Sequence, residues 1–193
     1  MVINEKALVT QVKEAYKLGG YTVAVKDGRM MLNNGYWLAS INEKNVPSKL
    51  LSILAEHIRD VPKEGQAYKC YKTKEGPFAQ STILEDAIKP MQTMHTQRDE
   101  AWKDLNPPMM LHTPLTYDGM QLWQADPSAT VSAIYMIDPR YSVLIDNKAE
   151  EVWKVGNGLY VQGEISELWV LRVADGAAAE KIKHLEDINW AKT

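Results

Sequence analysis

The stretch MMLNNGYWLAS, Met30 to Ser40, reads as two short apolar strands around an Asn34-Gly35 turn. Asn-Gly supplies the positive φ that tight hairpins need, so it is among the strongest local signals in the chain. Large side chains alternate onto both faces: Trp37, Ala39 and Ile41 oppose Tyr36 and Leu38. Such a sheet must be covered twice, by the chain's own helices or by a partner.

Working outward, the strand YTVAV (21–25) precedes this hairpin through an Asp27-Gly28 turn, giving a three-stranded meander. Before it, Ile3, Ala7, Leu8, Val12, Ala15 and Tyr16 recur at helical spacing, with Asn4 as N-cap and Gly19-Gly20 as stop. After it, Pro47 opens a second helix over about 47–59 that carries Leu50, Leu51, Leu54 and Ile58 on one side; Pro62 ends it. AYKCYKTK (67–74) reads as a strand. Residues 81–105 read as a helix kinked or split at Pro90. A proline-rich extended connection with an Asp118-Gly119 hairpin follows. The last third predicts strands at 129–137, 141–145, 150–155, 159–163 and 167–173, with turns at Asp146-Asn147 and Asn157-Gly158, and a closing helix over about 177–190. LNNGYWLA (32–39) and VGNGLYVQ (155–162) echo one another, as a diverged duplication or as the grammar common to Asn-Gly hairpins.

The fold class expected is therefore α+β. Antiparallel meanders are flanked by amphipathic helices, with an N-terminal helix-β-β-β-helix unit and a strand-rich C-terminal part closed by a helix. The 193 residues suit one compact unit, with lobes at 1–62 and 106–193 joined by a mixed middle segment as the variant of that expectation.

Composition narrows the function classes. Net charge is −3, too small for a nucleic-acid coat, but residues 1–75 hold 12 Lys+Arg against 8 Asp+Glu while residues 76–193 hold 10 against 17. Such asymmetry can mark a partner surface. A single cysteine excludes an internal disulfide, and no stretch nears the ~18 apolar residues that span a bilayer, so a cytoplasmic protein without a membrane partner is expected. Six Trp and nine Tyr against one Phe suit interfaces as well as cores.

No phosphate loop, nucleophile elbow or metal-ligand spacing is present, so neither a cofactor, a metal site nor catalytic residues are expected. His95 with Asp99 supplies too few ligands for zinc, and Cys70 with His57 or His95 is the one conceivable thiol pair. YKCYKTK (68–74) is the candidate nucleic-acid contact, because Tyr68 and Tyr71 interleave with Lys69, Lys72 and Lys74. Alternation divides that set, however, with Tyr68, Cys70, Lys72 and Lys74 on one face and Lys69, Tyr71 and Thr73 on the other. Asp138, Asp146, Glu150, Glu151, Glu164 and Glu167 offer an acidic surface for a basic partner. The candidate protein interface comprises Trp37, Trp123, Trp153 and Trp169. Of the methionines in the middle third, Met91 and Met94 share a helical face, which points to core.

LNNGYWLASINEKNVPSKLLSILAEHI, TPLTYDGMQLWQ and HLEDINW together resemble small accessory proteins of phages and prophages of Gram-positive gut bacteria. The resemblance implies a mobile-element protein that binds host or defence machinery, anti-CRISPR inhibitors being one class; it assigns no residue a role. The leading expectation is a non-enzymatic binding protein acting stoichiometrically on a protein or protein–nucleic-acid partner. The alternatives are a DNA- or RNA-binding replication accessory, or a small enzyme with a site assembled from distant residues.

Overall fold

The computed structural model describes residues 1–103, 109–110, 115–117, 120–124, 134–146, 149 and 151–171. Helix α1 (Glu5–Leu18) leads into strands β1 (Tyr21–Lys26), β2 (Arg29–Asn33) and β3 (Trp37–Asn42). Helix α2 (Ser48–Ile58), strands β4 (Ala67–Thr73) and β5 (Gly76–Ser81) and helix α3 (Leu84–Lys103) follow. Then come β6 (Met109–Met110), β7 (Leu115–Tyr117), β8 (Met120–Gln124), β9 (Ile134–Ile137), the short α4 (Pro139–Ser142), β10 (Glu151–Val155), β11 (Gly158–Gln162) and β12 (Ser166–Leu171). The α+β class is as expected. The predicted closing helix at 177–190, the Asp118-Gly119 turn and the start of the strand predicted at 129–137 lie outside the described residues.

Among the described residues nine strands form one antiparallel sheet in the order β5-β4-β1-β2-β3-β12-β11-β10-β6, and β7-β8-β9 form a second, three-stranded one. The last strands of two meanders meet at its centre. β3 pairs with β12 from Trp37–Val170 to Ile41–Ser166, centred on Ala39–Leu168. The order runs outward alike on both sides, β2 and β1 on one, β11 and β10 on the other, so the seam acts as an approximate twofold axis. The two Asn-Gly motifs do not correspond under it: one joins the second and third strands of its meander, the other the first and second.

Both faces of the sheet are covered, which answers the question raised by Met30–Ser40. On one face Trp37, Ala39, Ile41, Leu168 and Val170 join Val23, Val25 and the buried stripes of α1 and α2, Leu8, Val12, Leu50 and Leu54. On the other, α3 lies across the strands with Ile88 against Ala24 and Ala67, and Met91 and Met94 against Leu38, Val155 and Tyr160.

Local signals explain most elements. The Asn4 Oδ1 accepts from the Ala7 N–H at 3.2 Å and caps α1. Gly20 ends the helix run at φ +94°, and a Cβ there would stand 2.7 Å from the Cys70 carbonyl oxygen, so the position is closed to other residues. Asp27 and Gly28 both adopt positive φ in a two-residue turn, as read.

Four expectations need correction. The turn after β2 has three residues, not two: the Asn34 Oδ1 accepts from the Tyr36 and Trp37 N–H groups, and Tyr36 is expelled to the surface. The β10–β11 turn is Gly156-Asn157, one residue earlier than read, with Gly158 paired in β11. Pro90 does not split the helix: α3 runs unbroken through it from Leu84 to Lys103. Residues 141–145 are not a strand: the Asp138 Oδ1 accepts from the Arg140 N–H at 2.9 Å and Pro139 opens α4, leaving only a bridge from Ile145 to Ile3.

Candidate functional site: a trench beside helix α3

The strand registers place a row of side chains across the α3 face. Gln80 (β5) opposes Lys69 (β4), Lys69 opposes Thr22 (β1), Thr22 opposes Asn33 (β2), Asn33 opposes Leu38 (β3), Leu38 opposes Trp169 (β12), and Trp169 opposes Tyr160 (β11). The neighbouring row, Ala67, Ala24, Met31, Ser40, Glu167 and Gln162, runs parallel to it. Helix α3 lies over the sheet with one flank toward each row.

On the first flank α3 and the sheet enclose a trench of about 430 Å³, lined by Asp86, Lys89, Pro90, Thr93, Met94 and Gln97 from the helix and by Asn33, Gly35, Leu38 and Trp169 from the sheet. Its floor is apolar. The Trp169 indole N–H donates to the Val155 carbonyl at 3.0 Å, so its polar handle is engaged within the fold and its ring remains for apolar contact. The Asn33 Oδ1 accepts from the Gly35 N–H at 2.7 Å and fixes the hairpin that walls the trench.

On the second flank a polar network bolts α3 down. The Glu167 carboxylate, only 8% exposed, accepts from Tyr160 Oη at 2.8 Å, pairs with His95 Nε2 at 2.9 Å and with Arg29 Nη2 at 3.2 Å. Arg29 Nε also donates to Ser40 Oγ at 2.7 Å, and Arg98 Nη1 donates to Tyr160 Oη at 3.2 Å. Burial pushes the Glu167 pKa upward, but the hydrogen bond and charge of His95, the Tyr160 hydroxyl and the Arg29 charge outweigh it and hold it at about 2. Burial, reinforced by the Glu167 charge, raises that of Tyr160. Glu167 is thus no part of the acidic surface read from the sequence. The sequence showed it only as a charge on a strand; the pairing of β12 with β3 and β11 places it beneath α3.

The remaining sequence candidates are scattered. Trp37 is wholly buried and is removed from the protein interface. Trp153 is half-buried against the Met91 and Met94 cluster; Trp123 lies in β8, and its side chain is outside what is described. Of the three whose side chains are described, Trp169 alone lines the trench, where the sequence missed Leu38, Pro90 and Met94 as its partners. Lys69, Lys72 and Lys74 are exposed, and Tyr68 and Tyr71 half-buried. Pairing sets Tyr68 with Val23 on the α1–α2 face, while Tyr71 opposes Phe78 with ring centroids 4.9 Å apart. As expected from alternation, no single face carries the whole set; Phe78, on the proline-bearing edge strand, was missed.

The Cys70 thiol sits where a reactive thiolate is disfavoured. It is fully buried, and burial pushes its pKa to about 11 against a downward pull from the Tyr21 hydroxyl. Tyr21 Oη in turn is hydrogen-bonded to His57 Nδ1 at 2.9 Å, and the His57 ring stacks on Tyr16 at 3.6 Å. Burial lowers the His57 pKa and favours the neutral ring. His95 and Asp99 do not converge: His95 turns to Glu167, and Asp99 pairs with Arg98 at 2.8 Å. No helix among the described residues is long and apolar enough to cross a membrane.

The chain matches no protein-family model and no curated protein. Solved structures similar to it in chain path include the DNA polymerase III beta chain of Streptococcus pneumoniae TIGR4, with 10% identity over 90% of this chain and 64% of that one, at a TM-score of 0.35. The DNA polymerase sliding clamp of Bacillus subtilis shows 9% identity over 90% and 64%, at 0.37. The DNA polymerase III beta subunit of Thermotoga maritima shows 13% over 88% and 62%, at 0.34. The chain spans less than two thirds of the length of these proteins.

Proposed function

We propose that this chain is a non-enzymatic binding protein that acts stoichiometrically on a protein partner, engaged through the trench beside α3. One observation carries the reading. Leu38, Pro90, Met94 and Trp169 form an open apolar floor within a polar rim, the make-up of a site that takes an apolar anchor from another chain. Met adapts to anchors of different shape, and Trp is the side chain most enriched where binding energy concentrates. The resemblance to phage and prophage accessory proteins gives this reading its setting.

A display selection of random heptapeptides on the immobilised protein tests it. Enriched peptides are expected to share an apolar residue, and to lose at least about tenfold in affinity when Thr93→Trp fills the trench, a change of 1.4 kcal/mol or more. Peptides that bind the Thr93→Trp protein unchanged would overturn the reading.

A second reading, a DNA- or RNA-binding replication accessory, draws on the β4–β5 hairpin, where Lys69, Tyr71 and Phe78 share a face and Lys74 stands in the turn. It requires oligonucleotide affinity that falls steeply with salt and is lost in the Lys69→Gln/Lys72→Gln/Lys74→Gln protein. Salt-insensitive or absent binding eliminates it.

A further inference from the structure

The trench does not end at its apolar floor. The cross-strand row continues from Leu38 through Asn33 and Thr22 to Lys69 and Gln80, and beside it lie Tyr71 and Phe78. Asn33 and Thr22 are half-buried, Lys69 and Gln80 exposed. The α3 flank contributes Asp86 and Lys89, one charge of each sign, so the net charge along the row comes from Lys69. The surface is therefore an apolar socket at one end, a run of uncharged polar side chains, and a cation at the other end.

We infer that the occupant is an extended peptide segment carrying an apolar anchor and, about four to six residues away, a carboxylate that meets Lys69. This rests on the trench being the partner site, as proposed above, and names the partner's chemistry there. The spacing follows from sheet geometry. Lys69 stands three strands from Leu38 and four from Trp169, and strands lie about 4.8 Å apart, which gives roughly 14–19 Å. An extended chain advances about 3.3 Å per residue, so four to six residues cover that distance. The Asn33 amide NH2 group and the Thr93 hydroxyl offer hydrogen-bonding groups to the backbone of such a segment. A segment bearing a cation at that position would meet Lys69 with like charge, so the preference has a sign.

Fluorescein-labelled peptides of Gly and Ser, each with one Leu and one Glu at separations of one to eight residues in either direction, test the inference by anisotropy. Gln-for-Glu copies serve as controls. Peptides with separations of four to six in one direction are expected to bind about two- to fivefold tighter than their Gln copies, the range for an exposed ion pair. That ratio should fall to one in the Lys69→Gln protein and persist in the Lys44→Gln protein, whose exposed lysine lies outside the trench. Far-UV circular dichroism confirms that both variants are folded. A ratio independent of separation, or one that survives Lys69→Gln, overturns the inference while leaving the trench as an apolar site. Binding by none of the peptides, or binding that Thr93→Trp does not weaken, overturns both. Tighter binding of oligonucleotides than of every peptide, lost in the Lys69→Gln protein, would move the row to the second reading and also overturn it.

Discussion

Glu167 is where one residue's chemistry has a measurable consequence. Its carboxylate is held at about 2 in the folded chain, against an ordinary value near 4.5. The folded pKa is depressed, so the stabilisation is present above the unfolded value and is lost as pH falls from about 4.5 toward about 2. A shift of this size corresponds to about 3 kcal/mol at neutral pH, of which about 2 kcal/mol is gone by pH 3. Glu167→Gln should cost about 3–5 kcal/mol at pH 7, because it leaves Arg29 without its counter-charge in a half-buried site. The same variant should lose about 2 kcal/mol less than the native chain between pH 7 and pH 3. Urea midpoints of both proteins at the two pH values check this, and parallel losses would show that Glu167 is not the titrating group. Nothing local in ISELWVL reveals this role, because His95 comes from 72 residues away. The sequence shows a charge on a strand; only the register of β3, β11 and β12 shows that it points under α3.

Helix α3 carries the trench, and Pro90 is its anomaly. A proline inside a helix removes the bond that its N–H would make to the Asp86 carbonyl, at a cost of about 3 kcal/mol relative to alanine. Pro90 nevertheless sits within the unbroken α3 and lines the trench. Pro90→Ala should therefore raise stability, by about 1–3 kcal/mol, while reducing affinity for trench-bound peptides, a trade of stability against function. Thermal unfolding and peptide anisotropy on one preparation check it; a variant that gains neither stability nor loses affinity would show the proline to be neutral in both respects. At this scale the sequence was most legible where turn chemistry is specific. Asp27-Gly28 and Asn4 say where a turn and a helix begin because few residues can do those jobs. It was least legible where an apolar run fits two elements: Tyr141, Val143 and Ile145 alternate as a strand would, and only the Asp138 cap with Pro139 turns residues 139–142 into α4. The short edge strand β5 was missed because Pro77 and the exposed Phe78 break the alternation on which strand recognition depends.

Across the whole molecule the β3–β12 seam joins the beginning of the chain to its last third. Neither meander announces this pairing, since register between distant strands is set by which faces need burial, not by any residue motif. The flanking helices were legible from their apolar stripes. The trench was not, because Leu38, Met94 and Trp169 converge only once the seam is formed and α3 lies across it. A sheet continuous through the seam should unfold as one unit. Tryptophan fluorescence, reporting both Trp37 near the start and Trp153 and Trp169 near the end, should therefore lose its signal at the same urea concentration as far-UV circular dichroism. Leu168, fully buried at the centre of the seam opposite Ala39, gives the sharper test. Leu168→Ala should cost about 2–5 kcal/mol through the lost burial and the cavity left behind. Because the damage sits between the two meanders, both probes should shift together to a lower midpoint. Two separated transitions in that variant would mean that residues 1–62 and the strands after 150 hold together independently, as two lobes that merely abut at β3 and β12.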